Sequence, residues 1–256
     1  MINYKVFETE DEWLDFRAPY FTASDASKLL PEPKKKGEVL SVGAKSYIRK
    51  CTAAMLAPRE PSYFNSAMEH GKATEPLAAI RFASELGKTI DDDDIIYTST
   101  NGFVFFYDDE YNLGGTPDII LRQLKKSGEI KCPNSDTHLE YLLLKNAEDV
   151  KTTLSDYYGQ MQTNMYLTKT NECIFMSFDN RYHDESLHAH FVSIPRDDEY
   201  IERLLFKAKH AKEYKETILK TINEKSCQLS TTHKTTKPRR STTKKIITGS
   251  GSGISK

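Results

Sequence analysis

The 256-residue chain has only four cysteines, Cys51, Cys132, Cys173 and Cys227, and none falls in a paired spacing. That scatter disfavours a zinc or iron–sulfur cluster and fits free thiols in a reducing compartment. No stretch approaches the roughly 20 apolar residues of a membrane-spanning helix, so no membrane partner is expected. The opening residues, Met1-Ile2-Asn3-Tyr4-Lys5, lack the apolar segment of a secretory signal, and an intracellular location is expected. There is no internal repeat. Acidic residues are missing from position 225 onward, where eight Lys and Arg occur, leaving residues 1–224 with 28 basic and 37 acidic groups, a net of −9. With most of the chain acidic, contact with a polyanion must come from local basic patches, a metal site or the tail.

What is present reads as a mixed α/β chain. Residues 8–17 predict a short amphipathic helix, and Thr22 or Ser24 opens another, 24–30, stopped by Pro31-Glu32-Pro33. Helices are expected over 40–57 and 65–86, the second kinked after Glu75 by Pro76. Strand periodicity follows at 95–97, 103–106, 118–121 and 129–131, with a turn over 123–128. A helix over 156–167, strands at 173–178 and 188–194, and a long helix after Pro195 complete the pattern. Residues 1–222 are expected to form one domain. Residues 223–256, rich in Ser, Thr, Lys and Gly, read as a disordered basic tail.

The chemistry concentrates in Gly115-Thr116-Pro117-Asp118-Ile119-Ile120 and Gly128-Glu129-Ile130-Lys131-Cys132-Pro133. Glu129 and Lys131, two apart on a strand, share a face, while Ile130 points into the core. A short turn brings Asp118 beside them. Two adjacent carboxylates repel unless a divalent cation sits between them, and the Ile130 carbonyl adds a further hard oxygen. Such a set suits Mg²⁺, which keeps several waters, with Lys131 beside the attacking one. Spacing alone fits a salt bridge across a hairpin equally well.

Around this pair lie Glu75, closing His70-Gly71-Lys72-Ala73-Thr74-Glu75, and Gln160 with Asn164 on one helical face of Tyr157-Tyr158-Gly159-Gln160-Met161-Gln162-Thr163-Asn164. With Thr22-Ala23-Ser24, Gly-x-x-x-Glu ending at Glu75, Pro117-Asp118, Glu129-x-Lys131-Cys132-Pro133 and Tyr157-x-x-Gln160-x-Gln162 in order, the chain resembles the lambda-type phage exonucleases and related viral alkaline exonucleases and recombinases over about residues 13–215. The resemblance implies the PD-(D/E)xK fold, a central mixed sheet flanked by helices. It also implies degradation of duplex DNA from a 5′ end using Mg²⁺, with Mn²⁺ able to substitute and two ions expected. By motif match, Asp118 and Glu129 would be metal ligands together with the Ile130 carbonyl, and Lys131 the catalytic lysine. Glu75 would hold the metal region, and Gln160 would orient the nucleophile or the scissile phosphate. Arg17 and Ser24 would grip the terminal 5′ phosphate, and Asp108 matches an accessory acidic position. A virus-encoded enzyme of this kind would leave a 3′ single strand for an annealing protein, in host nucleus or cytoplasm, and a homo-oligomer is among the forms the resemblance allows.

Plainer readings stand beside these: an N-cap for Ser24, an exposed helix-end cation for Arg17, a solvated helical charge for Glu75 and a polar helix-face residue for Gln160. The alternatives in function are an endonuclease or RNA-degrading enzyme on the same fold, or a non-catalytic DNA-binding recombination scaffold. His183, His188 and His190 are too irregularly spaced for a metal site and fit hairpin or surface positions. The basic run 234–245 is either a solvated charge run or a DNA tether or nuclear-import signal.

Overall fold

The computed structural model describes residues 2–59, 66–99 and 103–233. In chain order the elements are β1 (Ile2–Phe7), α1 (Glu10–Arg17), β2 (Phe21–Thr22), a 3-10 turn (Ala26–Leu29), α2 (Val42–Leu56), α3 (Ser66–Glu85), β3 (Ile95–Tyr97), β4 (Phe103–Asp108), β5 (Leu113–Gly115), β6 (Ile119–Leu121) and β7 (Lys126–Lys131). Then come α4 (Ser135–Leu142), α5 (Ala147–Thr153), α6 (Ser155–Thr168), β8 (Glu172–Phe178), a second 3-10 turn (Glu185–Leu187), β9 (Ala189–Pro195) and α7 (Asp198–His233). One compact unit spans Met1–Ile218, and a second, Leu219–Lys256, begins within α7.

Two mixed sheets organise the first unit. The larger has strand order β3-β6-β7-β8-β9, with β7 and β8 parallel and its other pairs antiparallel. The smaller has order β1-β4-β5-β2, with β2 and β5 parallel. Helix α3 lays Ala78, Ala79, Phe82 and Ala83 on Ile119, Leu121, Ile130 and Met176 of the larger sheet. Helix α6 touches strands of both sheets and buries eight residues, from Tyr158 and Gly159 through Met165 and Leu167. A helix enclosed on most sides shows no single apolar stripe. Its Met161 and Met165 pack with Phe175, Val192 and Ile194, while Leu167 joins Phe21, Leu29 and Leu113.

Several local expectations are corrected. The smaller sheet went unforeseen because β2 and β5 are two and three residues long and β1 keeps three consecutive exposed residues, too little for a period-2 signal. Helices α4 and α5 were likewise unforeseen. Residues 24–30 do not form an α-helix opened by Thr22 or Ser24. Thr22 lies in β2, held to Gly114, and the helical turn starts at Ala26 with Asp25 before it. The turn expected over 123–128 is tighter, with β7 starting at Lys126 and Lys125 adopting φ 51°. Gly128 reads as a turn residue but stands in β7 because a Cβ there would lie 2.7 Å from the Phe82 ring. Helix α3 continues through Pro76 to Glu85. Helix α7 runs through His233, past the expected start of the tail at 223; residues 234–256, with the whole of the basic run 234–245, lie outside the described residues.

The start of α7 is fixed electrostatically. Asp197 Oδ1 accepts from the Tyr200 N–H at 3.0 Å, and Oδ2 accepts from the Tyr158 hydroxyl at 2.8 Å and from Lys151 Nζ at 2.9 Å. Burial opposes ionisation of this carboxyl, but these partners hold it down at about 2. A carboxylate with a depressed folded value stabilises the fold above its unfolded value near 4 and loses that contribution as pH falls through the folded one. Asp197→Asn is therefore expected to cost about 1–2 kcal/mol at pH 7, with the difference from wild type shrinking below pH 4. Urea unfolding of both proteins at pH 7 and pH 3 checks this.

Candidate active site

The hairpin register creates the site. β6 and β7 pair antiparallel with Ile119 opposite Gly128, so one further step sets Asp118 opposite Glu129. Asp118 precedes β6 itself and aims Oδ2 at the backbone N–H of Ile130, which donates to it at 2.7 Å. Glu129 is 1% exposed, and its Oε1 accepts from Lys131 Nζ at 2.5 Å and from Gln160 Nε2 at 2.6 Å. Its other oxygen, Oε2, is buried with no hydrogen-bond partner among the described residues. Ile130 sends its side chain into the core, as its position between two site residues requires.

The electrostatics follow from this crowding. Burial first, then the Glu129 charge, push the Asp118 carboxyl well above the usual carboxylate range, and Lys131 only partly opposes them. Burial would lower the Lys131 ammonium, but Glu129 and Asp118 more than offset it and hold it above its ordinary value. Lys131 also sits 4.6 Å from the centroid of the Tyr157 ring, a cation–π contact that steers a flexible side chain. The Cys132 thiol next along the chain is pushed up to about 12 by burial and the nearby Glu75 and Asp118 charges. It is therefore no nucleophile.

An orphaned buried carboxylate oxygen beside a second carboxylate is costly without a cation. The donors are hard oxygens, which suits Mg²⁺ or Mn²⁺. Among the described residues no three His, Cys, Asp or Glu side chains gather into a metal cage. The fit is therefore to an open site, Asp118 and Glu129 completed by main-chain oxygen and water, and not to a closed structural one.

A cavity of about 490 Å³ opens on this wall. Asp118, Gln160, Glu75, Arg17 and Ser24, contributed by separate elements, all line it. Glu129 and Lys131 lie off the lining and reach it through the Gln160 bond and the Ile130–Asp118 bond. Glu75 Oε1 accepts from the Ser99 hydroxyl at 2.7 Å and from the Tyr97 hydroxyl at 3.1 Å. The Arg17 guanidinium stacks over the Trp13 ring at 4.3 Å; burial lowers its pKa, and Asp25 partly compensates. Ser24 is exposed, its hydroxyl 3.3 Å from that of Thr22, so its place is at the cavity rim and not at a helix N-terminus.

Asp108 is not brought to the site. It is buried at a turn, where Oδ1 accepts from the Glu110 N–H at 2.9 Å and Oδ2 from the Tyr166 hydroxyl at 2.7 Å. Those bonds give the carboxylate a structural role that an acidic run in the sequence does not disclose. Gln162, which closes the Tyr-x-x-Gln-x-Gln run, ties α6 to the start of α7 through Pro195 O and Asp197 N. His188 and His190 bond the carbonyls of Tyr182 and Leu144. The Gly114-Gly115 pair is a packing device: a Cβ on Gly114 would lie 2.2 Å from the Phe105 ring, and one on Gly115 would lie 2.4 Å from Asn164 Oδ1.

Thr98 and Ser99 escaped the sequence reading, although both line the cavity. Thr98 meets Pro117 and Asp118 only through the β3–β6 pairing, and Ser99 meets Glu75 only because α3 packs beside the end of β3.

Comparison with solved structures finds the same fold in an alkaline exonuclease, LHK-Exo, from Laribacter hongkongensis, at 23% identity and TM-score 0.63, covering 86% of this chain and 99% of that one. A structure of LHK-Exo in complex with dAMP matches at 24% identity and TM-score 0.63, with the same coverage. A phage related exonuclease from Haemophilus somnus 129PT aligns at 17% identity and TM-score 0.61, over 79% of this chain and 96% of that one. A search of curated protein sequences finds no match. The architecture is thus that of the PD-(D/E)xK type, with two mixed sheets flanked by helices. A family model matches residues 12–171, from the helix bearing Arg17 to the end of the one bearing Gln160, and the chain belongs to the family of the YqaJ-like viral recombinase domain.

Proposed function

We propose that this protein is a divalent-metal-dependent exonuclease that degrades duplex DNA 5′→3′, releasing 5′-phosphorylated nucleotides and leaving a 3′ single strand for an annealing protein in viral recombination or replication. The observation that carries the reading is that Lys131 and Gln160 both donate to Glu129 while Asp118 accepts from the Ile130 N–H between Glu129 and Lys131, beside a cavity lined by Asp118, Gln160, Arg17 and Ser24.

Asp118 and Glu129, with the Ile130 carbonyl, would hold Mg²⁺ or Mn²⁺, two ions being the number that phosphodiester chemistry of this kind uses. Bound cations supply Lewis-acid stabilisation of the attacking and leaving oxygens. Lys131, held by Glu129 and by the Tyr157 ring, orients the attacking water and offsets charge developing on the phosphorus centre. Gln160 fixes Glu129 Oε1 with its amide nitrogen and faces the scissile phosphate from the cavity wall. Glu75, pinned through one oxygen, completes the acidic side. Arg17 offers a fork of donors to a terminal phosphate, and Ser24 adds a hydroxyl at the rim.

Purified protein with Mg²⁺ should shorten linear duplex DNA bearing 5′ phosphates and spare covalently closed circles. Nicking of circles points to an endonuclease, cleavage of RNA to a broader nuclease, and intact linear DNA refutes the activity. Arg17→Ala is expected to weaken the preference for a 5′-phosphorylated over a 5′-hydroxyl end about tenfold to a hundredfold, the value of a lost charge-assisted hydrogen bond. Initial rates on the two labelled duplexes measure that ratio.

A further inference from the structure

We infer that Tyr97 at the end of β3 and the two turn residues after it, Thr98 and Ser99, form a positioning bracket that holds the Glu75 carboxylate and the Asp118 backbone in one frame. The inference rests on the nuclease reading above. Tyr97 closes β3 and Thr98 and Ser99 form the turn that follows it, so one tripeptide meets two partners. Tyr97 and Ser99, two apart, both donate a hydroxyl to Glu75 Oε1, at 3.1 Å and 2.7 Å. Thr98, between them, works on the other acid. Its N–H donates to the Asp118 carbonyl at 3.0 Å, and its hydroxyl reaches the carbonyls of Pro117 at 2.8 Å and Asp118 at 3.2 Å.

The need for such a bracket is local. Residues 116–118 have no ladder of their own between β5 and β6, and Pro117 has no N–H to donate. Register supplies the remedy: Tyr97 pairs with Ile119, so Thr98 falls opposite Asp118 on one side just as Glu129 does on the other. Thr98 is 5% exposed and Tyr97 3%, so their bonds are shielded from water, whereas Ser99 is exposed. Glu75 comes from α3 and Asp118 from the approach to β6, and among the described residues the bracket bonds directly to both. Because it touches these acids and not the reacting atoms, its role is positioning.

The test compares wild type, Thr98→Val, Thr98→Ser, the Tyr97→Phe/Ser99→Ala double variant and Asp118→Asn. Rates of linear duplex digestion are read beside Mn²⁺ affinity by calorimetry, with melting curves confirming the fold. Thr98→Val should lower kcat and Mn²⁺ affinity each about 10- to 100-fold, the usual effect of removing a group that orients a ligand, with KM for DNA little changed. Thr98→Ser, which restores the hydroxyl, should recover both to within about threefold. Should Thr98→Val fail to fold, the double variant decides, with the same direction of loss expected through Glu75. Wild-type rate and affinity in Thr98→Val while Asp118→Asn loses both would overturn the bracket and leave the nuclease standing, as would equal impairment of the Val and Ser variants. A wild-type protein that neither cuts DNA nor binds Mn²⁺ overturns the nuclease reading and the bracket with it.

Discussion

Glu129→Gln and Lys131→Ala are each expected to slow digestion of linear duplex DNA by about a thousandfold or more, the scale of losing a charge-bearing group at a reacting centre. The two should fail differently. Glu129→Gln keeps the shape and an acceptor for Lys131 and Gln160, but removes the negative charge that a cation needs, so calorimetric Mn²⁺ binding should fall with the rate. Lys131→Ala leaves both carboxylates in place and should retain Mn²⁺ binding while losing turnover. Neither change should unfold the protein, since Glu129 Oε2 has no hydrogen bond to lose among the described residues and Lys131 is only partly buried. Duplex digestion that proceeds at wild-type rate in both variants would remove these residues from the mechanism.

Asp118→Asn should abolish activity yet make the metal-free protein more heat-stable. The Asp118 carboxyl is buried against Glu129 and sits well above its usual range, so its ionised form is disfavoured by the fold. The sign follows from linkage. For a carboxyl raised by folding, the stability of the protonated form is present at low pH and lost as pH rises through the folded value. Above the ordinary carboxylate range the wild type therefore carries a cost at Asp118 that grows with pH, and the neutral amide removes it while its oxygen can still accept from Ile130. Such a cost held at a site is the usual form of the conflict between stability and function. Divalent metal should reverse the order: at a hundredfold excess over its dissociation constant it stabilises the wild type by about 2.7 kcal/mol, and the variant much less. Melting curves with EDTA and with Mn²⁺ give both comparisons. A variant that melts lower than wild type without metal, or gains as much with it, contradicts the account.

The legible part of the site was the part set by short-range geometry. Glu129 and Lys131 share a face because they are two apart on a strand, and Asp118 meets them because a tight hairpin fixes its register. Gln160 could be picked from its place on a helix face and its run of neighbours. What stayed hidden depends on long-range pairing. Thr98 becomes relevant only when β3 lies beside β6, and the bond that Asp108 accepts from Tyr166, 58 residues on, leaves no trace in the sequence. Ser24 was given a helix start because its neighbours favour caps, whereas the pairing of Phe21 and Thr22 with Leu113 and Gly114 decides the local backbone. The larger sheet announced itself through buried apolar strands such as β6 and β8; the smaller one, with its glycine-bearing and half-exposed strands, did not.

On the proposed activity, the enclosure of α6 has a bearing on how a preference among DNA ends could change. Gln160 rides on a helix wedged between two layers, so it behaves like an anvil that an arriving strand cannot displace. Diversity among relatives should therefore collect at the outer lip, where Ser24 is already exposed to solvent, while the striking surface stays the same.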